Sequence, residues 1–185
     1  FIAMPDEVMG THAGAIEANL KTLPLITDKI IVIVRDIRQS IVSKVAYSEY
    51  LRYSGSIGGL LKYQYPNGFF HWPIEKKIDW QIDNYYTPAD VEWIKGWVIA
   101  DKDPKFTCEI HFSKFEVLAH DPKKYFQEIL SFYDFPEHKF TFPQKPKFKP
   151  KTHLRKGSTD EWRKVLSKKQ VQKINELIPD EWFER

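Results

Sequence analysis

KIIVIVRDIRQSIVS, from Lys29 to Ser43, is the stretch whose reading decides the fold. It contains five consecutive β-branched residues, Ile30 to Val34. Such a run predicts a strand buried on both faces, as in a parallel sheet. The apolar run stops at Arg35. Asp36 then suits a helix cap, and Ile37, Ile41, Val42 and Val45 recur at helical spacing. Arg35 therefore stands where a parallel strand ends and a helix begins, the edge at which open α/β sheets bind ligands. Ser43 follows eight residues later, about two turns along the helix. An Arg at the strand end and a Ser on the helix suit one shared anion, because the guanidinium fork matches phosphate or sulfate geometry. The alternative is a solvated strand-end charge and a helix-surface hydroxyl.

A second stretch, RKGSTDEW from Arg155 to Trp162, narrows that choice. Two adjacent cations precede Gly157, which permits close approach of backbone to a ligand. Cations beside open backbone N–H groups form an anion nest. VRD-x6-S and RKG-x4-W together resemble the cytosolic-type sulfotransferase family. The resemblance implies that the first motif grips the 3′-phosphate of the sulfuryl donor, 3′-phosphoadenosine 5′-phosphosulfate (PAPS), and that the RKG segment closes over the same phosphate. Arg35, Ser43, Arg155, Lys156 and Gly157 occupy the matching positions, and Trp162 matches the family's Trp. Asp160 and Glu161 replace the family's Gly-Asp pair. In the middle, VEWIKGW (Val91–Trp97) and KFTCEIHFSKFEVLAHDPKKYFQEILSFYDFP resemble the family's helix, strand, YEDL turn and following helix. The turn's Tyr is Phe115 here and its Asp is Val117, so the resemblance implies an adenine contact through the Phe115 ring without the hydroxyl.

The family also carries a PKSGT-type loop for the donor's 5′-phosphosulfate. No such sequence and no GxxxxGK[ST] occurs in these 185 residues, so that loop is expected upstream of Phe1 or lost. His12, in Thr11-His12, precedes Arg35 by 23 residues, close to the family's separation between catalytic base and VRD strand. A base must take the acceptor proton as oxygen attacks sulfur, and His titrates near neutral pH. A plain loop histidine is the alternative, and Lys21-Thr22-Leu23-Pro24 resembles the same segment without its His.

Composition sets the outer limits. Apolar content of 42% with 29% charged residues is ordinary for a globular chain, and the length suits one domain, 1–185. A net charge of +3 gives little support for general nucleic-acid or membrane attraction. Cys108 is the single cysteine, so no intrachain disulfide and no CxxC pair exists. No metal site is suggested by His111, His120 and His138. No run reaches membrane-spanning length and no secretory signal is visible, so the cytoplasm is the default.

Further elements follow in order. Phe1–Pro5 reads as a short strand. The helix from Asp36 ends near Tyr53 before Gly55. The aromatic stretch from Tyr63 to Tyr86 has no clear period and reads as a long loop with short helical pieces, either covering the core or facing an acceptor. Thr87 caps a helix with Pro88 first, running to Ala100. Phe106–Phe112 alternates as a strand. Asp121-Pro122 opens a helix to Tyr133. KFTFPQKPKFKPK is an extended linker. Ser167 to Gln170 is a capping box for a last helix ending near Ile178.

The expected fold is α/β, a three-layer sandwich with a mainly parallel sheet, P-loop-NTPase-like by resemblance. The implied chemistry is metal-free sulfuryl transfer from PAPS to a hydroxyl or amine of a small-molecule, lipid or glycan acceptor, with no nucleic-acid partner. His12 would be the base, with Arg35, Ser43, Arg155, Lys156 and Gly157 on the donor. The alternative is a non-catalytic sulfotransferase-like module that binds a nucleotide or anionic glycan. A P-loop kinase relative is a weaker third reading, since no Walker lysine is present.

Overall fold

The structure, a computed structural model, describes residues 13–55, 65–84, 86–143 and 157–179. Strands β1 (Lys29–Val34) and β2 (Glu109–Lys114) pair in parallel, from Lys29 opposite Glu109 to Val34 opposite Lys114. They end at one common edge. Around them lie helices α1 (Glu17–Thr22), α2 (Ile37–Ser54), α3 (Ile74–Asn84), α4 (Tyr86–Lys102), α5 (Phe115–His120), α6 (Pro122–Phe132), α7 (Trp162–Val165) and α8 (Lys168–Asn175). The described part is thus an α/β arrangement, mostly helical, on a small parallel sheet.

Helix α2 forms as its sequence dictates. The Asp36 carboxylate accepts the Arg38 N–H at 2.9 Å, and the helix stops at Gly55, whose φ of 67° suits a residue without Cβ. Its buried stripe, Ile37, Ile41, Val42 and Val45, packs against Ile78 and Ile82 of α3, Val91 of α4, and Trp162, Leu166 and Ile174 near the end of the chain. Each such burial contributes about 1.5–3 kcal/mol. A second cluster sets Val32 against Trp97 and Ala100 of α4, with Ile30, Val34, Ile110 and Phe112 beside them. Helix α4 belongs to both clusters and fixes α2 relative to the sheet.

Several expectations need correction. The β-branched run is buried on one face only. Val32 is buried, whereas Ile33 on the opposite face is 56% exposed. Helix α6 meets that face over β2, where Phe132 stacks on His111 at 5.2 Å, and leaves the β1 side open. The aromatic stretch is more regular than a loop. It contains the full helix α3, which buries Ile78 and Ile82 one turn apart, after a 3-10 turn over Phe69–His71. Helix α4 starts at Tyr86, so Thr87 lies within the helix. The second strand runs from Glu109 to Lys114, later than Phe106–Phe112, although Phe106, Ile110 and Phe112 do share one packed side. The YEDL-like turn is the short helix α5. Asp121 caps α6, accepting the Lys124 N–H at 3.0 Å, with Pro122 first. The capping box at Ser167 and Gln170 forms with both of its bonds, and α8 ends at Asn175. The expected strand Phe1–Pro5 and most of the Lys-Phe-Pro linker lie outside the described residues.

Candidate functional site

The shared carboxyl edge of the two strands is where Arg35 emerges. Arg35 follows the last rung, Val34 opposite Lys114, and its guanidinium lies 4.3 Å from the centroid of the Phe115 ring. One face of the Phe115 ring is thereby covered. Arg35 Nη2 donates to the Ser158 carbonyl at 2.8 Å. Its Nε is buried and has no hydrogen-bond partner. Burial pushes the guanidinium below its ordinary pKa, opposed by Glu116, Asp36 and Glu161, yet an Arg stays charged in a protein. The two nearest acids are already engaged. Glu116 Oε1 accepts the Asp36 N–H at 3.0 Å, and the Asp36 carboxylate is held by Arg38 Nε and Nη2, each at 2.9 Å.

Strand alternation places Ile31 and Ile33 on one face with their partners His111 and Ser113, and Arg35 follows just past the end of β1. Ser113 Oγ and His111 Nε2 are also buried without a partner. Two unmet polar atoms therefore lie on one sheet face two residues apart, and Arg35 Nε is a third just past the strand end. Buried polar groups are nearly always paired, so this concentration marks the face.

The segment Gly157–Trp162 returns to the same edge. Gly157 has a φ of 62°, open to a residue without Cβ. Thr159 Oγ1 meets His120 Nε2 at 3.0 Å. Trp162 donates its backbone N–H to Gln39 Oε1 at 3.2 Å, and its ring lies between the guanidinium groups of Arg38, at 4.2 Å, and Arg163, at 4.4 Å. Ser43, half-buried on α2, is four residues beyond Gln39 and hence on the same side of the helix. The structure thus gathers Arg35 and the Gly157 segment at one edge, with Ser43 one turn beyond Gln39 on α2. His12, Arg155 and Lys156 lie outside the described residues. Arg38 and Gln39 were not anticipated. Their signal was a polar i, i+1 pair one turn after Arg35.

The family model described as the sulfotransferase domain matches residues 18–184. The chain belongs to the sulfotransferase domain family. No curated protein and no solved structure matches it. The part matched to the sulfotransferase domain takes in Arg35, Ser43 and Arg155–Gly157, and begins after His12. Among its described residues, no group of three or more His, Cys, Asp or Glu side chains is arranged to hold a metal. No described helix of the sulfotransferase domain is long and apolar enough to cross a membrane.

Proposed function

We propose that this chain is a sulfotransferase that moves a sulfuryl group from PAPS to a hydroxyl or amine of a small-molecule, lipid or glycan acceptor. The observation that carries the reading is Arg35. It is a charged, half-buried donor at the carboxyl edge of a parallel sheet, with its buried Nε unmet and the Gly157 segment against it. A phosphate oxygen would satisfy that donor. Arg35, Ser43, Arg155, Lys156 and Gly157 hold the 3′-phosphate. In the transfer, the acceptor oxygen or nitrogen bonds to sulfur as the bond from sulfur to the bridging phosphate oxygen breaks. The acceptor's proton passes to His12, and adenosine 3′,5′-bisphosphate leaves. Fixed cationic donors stabilise charge on the moving and leaving groups. The fold that suits this chemistry is one domain, a three-layer sandwich with a larger, mainly parallel sheet.

The second reading is a non-catalytic module that keeps the nucleotide site alone. Thermal unfolding tests the site common to both. Adenosine 3′,5′-bisphosphate should raise the melting temperature by mass action, and adenosine 5′-monophosphate much less. Equal shifts from the two nucleotides would remove the 3′-phosphate assignment.

A further inference from the structure

The segment that returns to the sheet edge is held through its backbone by the start of α2. Arg35 donates to the Ser158 carbonyl, and Gln39 accepts the Trp162 N–H, one contact near each end of the turn. Arg35 stands just before the Asp36 cap and Gln39 in the first turn of α2. Gln39 is 1% exposed and stands among Ile37, Ile41 and Val42, which are buried as well. A buried amide is costly unless it is hydrogen-bonded, and an apolar side chain would suit the core better. The bond to Trp162 joins positions 123 residues apart. Arg38, itself anchored on Asp36, and Arg163 cover the Trp162 ring and limit its sliding.

We propose that Gln39 is a positioning residue for the phosphate site: by accepting the Trp162 N–H it sets where the Gly157–Asp160 turn lies against Arg35 and Ser43. The inference rests on the donor-site reading above. Two of the turn's anchors are main-chain groups, the Ser158 carbonyl and the Trp162 N–H, and the Thr159 hydroxyl adds a third on His120. Without the Gln39 acceptor, the Trp162 N–H is left unpaired in the core and the turn loses its register on α2.

Two variants test this. Gln39→Met removes the acceptor at similar volume; Gln39→Glu retains an acceptor. Calorimetric titration with adenosine 3′,5′-bisphosphate and amide exchange across 158–162 are measured for both, for wild type and for Arg35→Ala. Gln39→Met should raise Kd about three- to tenfold and speed exchange at the Trp162 amide, and Gln39→Glu should restore the protection. Gln39→Leu, read the same way, replaces a Met variant that does not fold. A wild-type Kd in Gln39→Met, with Arg35→Ala impaired, overturns the role of Gln39 and leaves the donor site standing. Unchanged exchange at Trp162 overturns it too. A wild-type protein that does not bind the bisphosphate overturns the donor-site reading, and this inference with it.

Discussion

Two regions of the molecule are rich in cations and aromatic rings, and they treat their polar groups in opposite ways. In the cluster around Phe69, Tyr65 stacks on Phe69 at 4.6 Å, and Phe70, Trp72 and Trp80 surround it at 5.2–5.6 Å. Its buried cation is fully served, with Lys77 Nζ donating to Glu49 at 2.5 Å and to the Phe70 carbonyl at 3.1 Å. At the Arg35 edge, a ring and a cation also meet, but Arg35 Nε has no partner, nor do Ser113 Oγ and His111 Nε2 further back along β2. Rings and charge are common to both regions; unmet hydrogen bonding distinguishes them.

That contrast fixes what substitutions should do. Phe69→Ala should have the largest effect on stability, a loss of about 3–5 kcal/mol for a large ring in a filled core, read from chemical denaturation. Its effect on bisphosphate binding, measured where the protein is folded, should be small. Lys77→Met comes next, with a loss of about 1.5–3 kcal/mol for hydrogen bonds to a charged group; a value near zero would show that the ion pair and its bond to Phe70 are not formed. Ser113→Ala should be smallest and of opposite sign, neutral or stabilising by up to about 1 kcal/mol, because the hydroxyl it deletes is buried without a partner. A destabilisation above about 1 kcal/mol in the free protein would mean that Ser113 is already satisfied, and the contrast between the regions would weaken.

The parts legible in the sequence are those encoded by neighbouring residues. Asp36, the apolar stripe of α2 and Gly55 form one local message, and so do Ser167 with Gln170 and Asp121 with Pro122. The β-branched run predicted β1, but how many layers cover it depends on remote chain, and Ile33 is open. Helix α3 was obscured because Trp72, Trp80 and their neighbours carry no helical period, while its true signal is Ile74, Ile78 and Ile82. The motifs named Arg35, Ser43 and Gly157, and the structure brings Arg35 and the Gly157 segment together. Gln39 was not legible, because a glutamine inside a helix has no local signature and its partner lies at Trp162. The unmet atoms of Ser113 and His111 were equally hidden, since only tertiary packing decides which polar groups go unpaired.

The central claim is that the Arg35 edge is an anion site. Its most direct test is calorimetric titration of adenosine 3′,5′-bisphosphate into wild type, Arg35→Ala and Lys164→Ala, the last being a cation removed from the exposed surface of α7. The account predicts binding by wild type, a loss of about 1.5–3 kcal/mol for Arg35→Ala as a charge-assisted bond disappears, and nearly unchanged affinity for Lys164→Ala. Equal losses in the two variants would mean general electrostatic attraction and would contradict it.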